Sequence, residues 1–327
     1  MKKIKWGIWG TGYIANRVAQ SFKHTQKSQL YCVLSRTPEK AQEFAKKHEA
    51  IHAYGNVEEM LADDALDVVY IATPNVNHLE NTLSCIKAGK HVLCDKPMAT
   101  NISDTKKMID AAADAGLFLM EGMWTRFFPV IRKVCQWIES GRIGRPLRFN
   151  CNFSFVASPS GWRCLDGKDA GALLDVGIYC ITLASLAFGL TPSDILSTAY
   201  IDKGTDIANS VVLKFEDDQI AAFTSALDCE SDLKAIIAGE KGYIEVRNPF
   251  YAPNLALLYE YNTQNNKSEA SAKCSEHVDQ SYPSTGFQFE LDHVSDCIAA
   301  GWTESDIMPH KTTLEAMQLM EDIRAKW

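Results

Sequence analysis

Lys96, Asp175 and Tyr179 are the residues of this 327-residue chain whose side chains could together move a proton. A tyrosine hydroxyl close to a lysine ammonium has a stabilised phenolate, so its pKa falls below the ordinary value of about 10. Such a tyrosine can act as a general base toward an alcohol while a hydride leaves. Asp175 and Tyr179 are four positions apart, which places both side chains on one face of a helix. The same pattern also fits a core tyrosine with a hydrogen-bonded hydroxyl and an aspartate that caps a turn.

Lys96 follows an apolar, β-branched segment, His91-Val92-Leu93-Cys94, and is flanked by Asp95 and Pro97. This pattern predicts a short buried strand that ends at a carboxylate, an amine and a proline. In an open α/β sheet, ligands bind at the carboxyl ends of the strands, and a proline fixes the backbone directly behind the lysine. We therefore predict that Lys96 reaches a ligand; the alternative is an ordinary solvated lysine.

The N-terminal segment has the order strand, glycine turn, helix that dinucleotide binding requires. Alternating residues from Ile4 to Trp9 predict the strand, and the motif G-x-G-x-x-A occupies Gly10 to Ala15. Gly10 permits a tight turn, Gly12 lets the backbone approach a pyrophosphate, and the following helix directs its N–H groups at the phosphates. This segment predicts a nicotinamide dinucleotide site.

The second predicted strand, Leu30 to Leu34, is followed by Ser35, Arg36 and Thr37. A site for NAD typically has an acidic residue here that binds the ribose 2′-hydroxyl. An arginine with two neighbouring hydroxyls suits a 2′-phosphate instead. The sequence therefore favours NADP, with NAD as the alternative cofactor. The other interpretation is that Arg36 is a surface charge that contacts no cofactor.

Strand and helix patterns alternate up to Met120, and the pattern changes after Glu121. Alternation of this kind predicts a right-handed, doubly wound parallel sheet. The second half shows short alternating runs joined by turn residues, typical of a mainly antiparallel sheet, then a polar loop from Gln264 to Ser275 and two closing helices. We predict an α/β protein with a Rossmann domain at residues 1–122 and an α+β domain for substrate binding and dimerisation at residues 123–327.

The composition argues against several classes of partner. A formal net charge of −8 disfavours nucleic acid and anionic membranes, and no apolar run approaches the length of a membrane span. The 10 cysteines form no C-x-x-C pair and mostly lie in apolar patterns, which indicates reduced core thiols and a cytoplasmic protein. The 8 histidines show no metal-ligand spacing, so we predict no metal.

Four motifs together resemble the glucose–fructose oxidoreductase / inositol dehydrogenase family. They are the glycine turn, the T-P-N-x-x-H segment from Thr73 to His78, the D-K-P segment and the D-x-G-x-Y segment that ends at Tyr179. Three further segments, which begin at Glu121, Ala172 and Asp292, are similar to the branch of NADP-dependent trans-dihydrodiol and D-xylose 1-dehydrogenases. In that branch a tyrosine takes the acid/base position that histidine holds in many relatives. The chain departs from the usual E-K-P of the family by having Asp95.

The resemblance implies a role for each motif. Hydride would pass between a substrate carbon and the nicotinamide, Tyr179 would exchange the hydroxyl proton, Lys96 would hold the substrate and lower the tyrosine pKa, and Asp175 would orient one of them. His78 either faces the nicotinamide or caps a helix. The remaining predicted cofactor contacts are Gly10, Thr11, Gly12, Tyr13, Ile14, Ser35, Arg36, Thr37, Thr73, Pro74, Asn75 and Asp95. The predicted walls of the substrate pocket are Trp124, Arg126, Phe127, Phe153 and Trp162.

The predicted reaction is NADP-dependent hydride transfer at a secondary alcohol or ketone of a sugar or a cyclic trans-diol. A reductase of a sugar ketone or osone would use the same residues. A non-catalytic NAD(P)-binding sensor is the other alternative, although this chain retains Lys96, Asp175 and Tyr179. By resemblance, and because an exposed sheet face with many apolar positions is unusual in a monomer, we expect a homodimer through the second sheet.

Overall fold

The computed structural model describes residues 3–158, 169–261 and 272–327, which divide into two compact units. Unit 1 comprises Met1–Trp124 and Tyr282–Leu314, and unit 2 comprises Thr125–Ser281 and Glu315–Trp327. Each unit has its own sheet, parallel in unit 1 and mainly antiparallel in unit 2. The predicted fold class is therefore confirmed.

Six parallel strands form the sheet of unit 1, in the order β3-β2-β1-β4-β5-β6. The order reverses between β1 and β4, and that reversal is where doubly wound sheets bind ligands. The strands are β1 (Ile4–Trp9), β2 (Ser28–Leu34), β3 (His52–Tyr54), β4 (Val68–Ile71), β5 (His91–Asp95) and β6 (Leu119–Gly122). The connecting helices are α1 (Tyr13–Ser21), α2 (Pro38–His48), α3 (Val57–Leu61), α4 (His78–Lys87) and α5 (Ile102–Asp114).

The helix starts of unit 1 follow from local side-chain chemistry. Asn56 accepts a hydrogen bond from the Glu59 amide at 3.0 Å and caps α3, as its position before an acidic first turn predicts. Asn101 caps α5 in the same way. Pro38 occupies the first turn of α2, where its missing N–H costs nothing. The strands between these helices are buried on both faces, as a covered parallel sheet requires.

Residues 282–314, assigned to the second domain from the sequence, cluster with unit 1. They contain α8 (Gln288–Ala299) and the start of α9 (His310–Arg324). Ser295 on α8 accepts a hydrogen bond from the Trp6 indole at 3.1 Å and lies 2.9 Å from the Ser28 hydroxyl. Packing of α8 on β1 and β2 is a long-range contact that residue patterns do not encode, so the first unit is discontinuous in sequence.

Eight strands form the sheet of unit 2, in the order β14-β13-β12-β11-β7-β10-β9-β8. Among the described strands of this sheet, only β7 and β10 pair in parallel. The strands are β7 (Pro146–Ser154), β8 (Asp194–Asp202), β9 (Thr205–Lys214), β10 (Ile220–Ala226), β11 (Ala235–Gly239), β12 (Gly242–Val246), β13 (Leu255–Tyr261) and β14 (Ala272–Asp279). Helices α6 (Pro129–Glu139) and α7 (Ile178–Phe188) pack on it.

Strand β14 corrects the prediction of a loop from Gln264 to Ser275, because residues 272–274 pair with β13 and Ser275 continues the strand. The first part of that predicted loop lies outside the described residues. The error arose because an exposed edge strand carries polar residues and loses the alternation that signals a strand.

The two faces of the second sheet differ in composition, and the strand register shows this directly. One row across the sheet is buried and joins Leu213, Ala221, Phe149, Ile237 and Ile244. The neighbouring row, on the opposite face, joins Leu196, Val212, Ala222, Asn150 and Ile236. Leu196, Val212 and Ile236 of this second row are 64%, 37% and 39% exposed. We call this second face the open face of the sheet.

Candidate functional site

The glycine turn after β1 has the geometry that a dinucleotide phosphate needs. Gly10 has φ +125°, and a Cβ atom there would lie 2.5 Å from the Ala72 carbonyl oxygen at the end of β4. Only glycine fits that position. Gly12 is the N-cap residue of α1, and a Cβ there would meet no atom within 4 Å. The backbone of Gly12 therefore faces open space at the positive end of a helix.

Beside this turn, positive charge comes from Arg36, just before α2, and from Lys40 and Lys47 on α2. Arg36 and Thr37 are exposed directly after β2, and the Thr37 amide donates to the Ser35 hydroxyl at 3.3 Å. A cavity of about 450 Å³ lies between the glycine turn and α2. Its lining residues are Thr11, Gly12, Asn16, Lys40, Glu43, Phe44 and Lys47.

The loop after β4 is held by His78. The two ring nitrogens of this fully buried side chain lie 3.0 Å from the Pro97 carbonyl oxygen and 2.9 Å from the Thr73 carbonyl oxygen. Because carbonyl oxygens only accept hydrogen bonds, a neutral imidazole can satisfy one of these contacts and an imidazolium both. His78 thus ties the end of β4 to the end of β5, which favours a positioning role over contact with a ligand.

Asn75 lies in the same loop and is 6% exposed. Among the described residues its side-chain nitrogen has no hydrogen-bond partner. An unsatisfied buried donor at the carboxyl edge of a sheet is suited to a ligand acceptor.

Lys96 directly follows β5 and is half-buried. Its backbone N–H donates to the Asp95 carboxylate at 3.0 Å, so the aspartate that replaces the usual glutamate holds its own neighbour's backbone. Burial raises the pKa of Asp95, and the opposite charge of Lys96 is the largest influence that lowers it. The Lys96–Pro97 peptide is cis.

Glu121, at the end of the neighbouring strand β6, is 2% exposed. It accepts a hydrogen bond from the Met98 amide at 2.8 Å, just beyond Pro97. Burial raises the pKa of Glu121 to about 7. The carboxyl ends of β4, β5 and β6 thus bring together His78, Asp95, Lys96 and Glu121 within unit 1.

In unit 2, Asp175 and Tyr179 lie on consecutive helical segments and are 4% and 7% exposed. Residues Leu173–Gly177 form a π-helix that runs into α7, so Asp175 lies on a widened turn and Tyr179 on the first turn of α7, rather than both on one regular α-helix as their spacing predicts. Gly177 lets this segment approach β10 closely, since a Cβ atom would lie 3.0 Å from the Ser225 hydroxyl oxygen.

Asp206, on β9, fixes the start of that π-helix. Its Oδ2 atom accepts from the Leu173 amide at 2.7 Å and from the Asn209 side chain at 3.0 Å. Asn209 in turn accepts from the Ser225 hydroxyl at 2.8 Å. Burial raises the pKa of Asp206 to about 6. This buried network holds the helix that carries Asp175 and Tyr179.

Aromatic rings surround Tyr179. The rings of Phe153 and Tyr251 stack with centroids 4.5 Å apart and an interplanar angle of 4°. The Tyr179 ring lies 5.5 Å from Phe153 and 5.6 Å from Tyr251. The Tyr179 ring therefore packs against two other aromatic rings, an arrangement that can contact the face of a ring substrate.

The other predicted pocket walls have different surroundings. Trp124 is 3% exposed and stacks on Phe287 at 4.2 Å, both in unit 1. Phe127 is 5% exposed, and an Arg126 guanidinium nitrogen lies 3.4 Å from the Ser185 hydroxyl. Trp162 lies outside the described residues.

In the part of the chain that the structure describes, no group of three or more His, Cys, Asp or Glu side chains is arranged to hold a metal ion. Within the same residues, no helix has the length and apolar character needed to cross a membrane.

Comparison with known proteins finds relatives over nearly the whole chain. Residues 4–123 match an oxidoreductase family with an NAD-binding Rossmann fold, and residues 131–245 match the GFO/IDH/MocA C-terminal domain. The chain is 32% identical over 326 residues to a trans-1,2-dihydrobenzene-1,2-diol dehydrogenase of Danio rerio, a match that covers 98% of this chain and 96% of the relative. The human protein of that name is 29% identical over 328 residues, with the same coverage.

A solved structure is also similar along its whole length. The crystal structure of aldose-aldose oxidoreductase from Caulobacter crescentus complexed with glycerol superposes with a TM-score of 0.86 and 25% identity. The match covers 99% of this chain and 97% of that one. The chain belongs to the Gfo/Idh/MocA oxidoreductase family. The predicted family and the predicted enzyme class, an NAD(P)-dependent oxidoreductase, are confirmed.

The site of this Gfo/Idh/MocA protein fits a nicotinamide dinucleotide on its own geometry. Gly12 offers open space for a phosphate, Lys40 and Lys47 line the adjoining cavity, and Asn75 offers an unsatisfied donor at the β4 end. When bound, the cofactor would supply the hydride acceptor or donor.

Some residues of this Gfo/Idh/MocA site were not predicted from the sequence. Lys40 could have been found, because it lies in the first turn of the helix predicted after Arg36. Glu121 gave a weaker signal, a carboxylate at the end of an apolar strand. Tyr251 and Asp206 gave none, because only the register and loops of the second sheet bring them to α7 and its π-helix.

Proposed function

We propose that the protein is an NADP-dependent dehydrogenase of a secondary alcohol in a sugar or cyclic trans-diol, also able to reduce the corresponding ketone. The observation that carries this proposal is the nearly full-length similarity to trans-dihydrodiol dehydrogenases in a chain that has Lys96, Asp175 and Tyr179. The similarity to an aldose-aldose oxidoreductase supports a sugar as the other substrate class.

In the proposed reaction Tyr179 takes the proton of the substrate hydroxyl. The Lys96 ammonium holds the substrate oxygen and favours the phenolate form of the tyrosine. The pKa of the tyrosine therefore falls, and the residue can act as a general base. Asp175, buried one turn before Tyr179, orients the hydroxyl or the lysine. His78 acts as a positioning residue, because it binds the Pro97 carbonyl and so fixes the segment that carries Lys96.

The preference for NADP is supported by the residues after β2. Arg36 and Lys40 are exposed at the start of α2, and Lys40 lines the same cavity as Thr11 and Gly12. A 2′-phosphate would form charge-assisted hydrogen bonds there. A site for NAD typically has a carboxylate at this point that binds the ribose. Here residues 35–37 are Ser, Arg and Thr, and none of them is acidic.

The substrate is proposed to contact the aromatic cluster of Phe153, Tyr179 and Tyr251. A stacked aromatic pair presents an apolar face to a cyclic diol or to the C–H face of a sugar ring. Trp124, Arg126, Phe127 and Trp162 remain predicted contributors to this pocket.

A homodimer through the open face of the second sheet belongs to the proposal. Leu196, Val212 and Ile236 are exposed apolar residues of this face, and Tyr200, on the same side of the edge strand β8 as Leu196, is exposed as well. Exposed apolar surface of this kind usually marks a protein contact. A cytoplasmic location is also proposed, since the nine described cysteines are free thiols.

A panel of cyclic trans-diols, aldoses and their ketones, assayed with NADP and NAD in both directions, tests the function. The measurement is the absorbance of the reduced nicotinamide, with Tyr179→Phe as the inactive control. We expect turnover of at least one diol or sugar with NADP. Binding of NADP without turnover of any panel member, in wild type and variant alike, would contradict the proposal and favour a sensor.

A further inference from the structure

Asn16, the fourth residue of α1, is half-buried, and its carboxamide joins the glycine turn to α2. Its Nδ2 atom donates to the Thr11 carbonyl oxygen at 3.2 Å and to the Gly12 carbonyl oxygen at 2.9 Å. Its Oδ1 atom accepts from Lys47 Nζ at 2.8 Å and lies 2.8 Å from His48 Nε2. A carboxamide has two N–H donors and two acceptor positions, so these contacts use its full hydrogen-bonding capacity.

The orientation of this carboxamide follows from the chemistry of its partners. Carbonyl oxygens only accept hydrogen bonds and an ammonium only donates them, so the nitrogen must face the glycine turn and the oxygen must face Lys47. An aspartate at position 16 would have no donor for the turn, and an alanine would have neither donor nor acceptor. The set of contacts therefore requires an amide side chain at this position.

The glycine turn depends on such support because Gly12 cannot order itself. Gly12 precedes α1 with φ −75° and ψ −169°, and it has no side chain that could cap the helix. A Cβ atom there would meet no atom within 4 Å, so packing does not restrict this flexible residue either. A planar trans peptide directs its N–H away from its C=O. By holding the carbonyls of Thr11 and Gly12, Asn16 directs the N–H groups of Gly12 and Tyr13 to the opposite side, where a helix start binds phosphate.

Helix α2 in turn holds the Asn16 side chain in place. His48 is 6% exposed, and its ring packs on the buried Phe44 ring with centroids 4.5 Å apart. Its position is therefore set by the packing of α2 and not by solvent. Since Oδ1 of Asn16 can only accept, His48 carries a proton on Nε2 and donates to it. The carboxamide is thus ordered before any ligand arrives.

We propose that Asn16 is a positioning residue of the dinucleotide site, because it fixes the glycine turn in the form that receives the pyrophosphate. It acts through the backbone of Thr11 and Gly12. Its loss should change the affinity for ligands that carry a pyrophosphate and leave the chemical step unchanged. This inference rests on the proposed use of a nicotinamide dinucleotide.

Calorimetric binding of NADP⁺ and of adenosine 2′-phosphate to Asn16→Ala tests the proposal. Both ligands carry the 2′-phosphate, but only NADP⁺ has a pyrophosphate. Loss of the two hydrogen bonds that order the turn should weaken NADP⁺ binding about 10-fold. Adenosine 2′-phosphate should bind within about twofold of the wild-type affinity, and the rate at saturating NADP⁺ should also stay within about twofold. Gln20→Ala, which removes an exposed amide from the same helix, is the matched control and should change neither affinity.

Unchanged NADP⁺ affinity in a folded Asn16→Ala protein, or an equal loss for both ligands, would overturn the proposal and make Asn16 a structural residue. Alanine is the best helix former, so α1 should stay intact. Should this variant still fail to fold, the same comparison in Asn16→Ser decides. A serine hydroxyl can donate to the carbonyl one turn back, as Ser84 does to Glu80 at 2.8 Å. A wild-type protein that binds no nicotinamide dinucleotide would instead refute the proposed function, and this inference with it.

Discussion

The two sheets of this protein serve chemistry in different ways. The parallel sheet of unit 1 is buried on both faces, and its functional groups emerge where β1, β2, β4, β5 and β6 end. The mainly antiparallel sheet of unit 2 carries its candidate site on a helix packed against one face, and leaves its other face open. A parallel sheet collects loops at one edge, because all of its strands point the same way. An antiparallel sheet instead provides a face on which the helix packs, and the strand register decides which side chains contact that helix.

The largest expected effect tests whether the helix of unit 2 supplies the base. Tyr179→Phe keeps the ring in its aromatic cluster and removes only the hydroxyl, so turnover should fall by about 10² to 10⁴ while NADP binding persists. Lys96→Met, from the other sheet, should cause a similar loss and raise the apparent pKa of any residual activity. Steady-state rates and calorimetric binding measure both. A Tyr179→Phe enzyme as fast as wild type would show that Tyr179 is not the base and that its role in unit 2 is structural.

Substitutions of two glycines in one turn of unit 1 should affect different properties, Gly10 stability and Gly12 cofactor binding. Gly10→Ala should destabilise the protein by about 3 kcal/mol, because backbone at φ +125° strains the residue and the new methyl meets the Ala72 carbonyl. Gly12→Ala should change stability by less than about 1 kcal/mol, since no atom lies within 4 Å, yet weaken cofactor binding. Urea unfolding and calorimetry report the two effects. Equal stability of both variants would contradict this division.

Each unit has a buried acid that should make stability depend on pH. The pKa of Glu121 is raised from an ordinary value of 4.5 to about 7, and that of Asp206 from 3.8 to about 6. The folded state then binds more protons than the unfolded state, so stability falls as pH rises through each interval. Each group should contribute a loss of about 3 kcal/mol.

Glu121→Gln and Asp206→Asn should each remove the corresponding part of that slope, the first up to about pH 7 and the second up to about pH 6. Urea unfolding from pH 4 to 8 measures both. Asp206→Asn can keep its bonds to Leu173 and Asn209 through one oxygen, so loss of the fold is not expected. A slope that survives both substitutions would assign the pH dependence to other groups.

Arg36→Ala tests whether the β2 end selects the cofactor. Loss of one charge-assisted phosphate contact should weaken NADP by about 1.5–3 kcal/mol and leave NAD nearly unchanged. Lys40→Ala should have a smaller effect of the same sign, because the lysine is exposed. Comparing dissociation constants for the two cofactors in the same variant provides the control. An equal loss for both cofactors would make Arg36 a plain surface charge.

The smallest expected effect on the fold comes from the open face of the second sheet. The double variant Leu196→Glu, Val212→Glu should shift the protein from about twice 36.4 kDa to 36.4 kDa in analytical ultracentrifugation, with the fold intact. Ile51→Glu, at an exposed apolar residue of unit 1, should not change the mass. A wild-type mass near 36.4 kDa at micromolar concentration would rule out the dimer.

Local residue chemistry was enough to predict the glycine turn and the strand before Lys96 in the first sheet. Gly10, Gly12 and the buried strand that ends at Asp95 are found as predicted, because each depends on neighbours within a few residues. Residues 282–314 and strand β14 could not be predicted in this way. Ser295 reaches Trp6 across 289 positions, and the edge strand carries polar residues that imitate a loop.

The sequence by itself determined which groups can do chemistry: a phosphate-binding turn, a lysine behind a buried strand, and a tyrosine with an aspartate one helical turn away. The tertiary structure alone decided their environments. Among the described residues, burial left Glu121 and Glu290 with carboxyl oxygens that lack a hydrogen-bond partner. His78 came to bind the Pro97 carbonyl oxygen, and the loop between β12 and β13 brought Tyr251 to Tyr179. The reason is physical: residue type sets what a group can donate, accept or ionise, whereas desolvation and long-range contacts decide its charge and its partners.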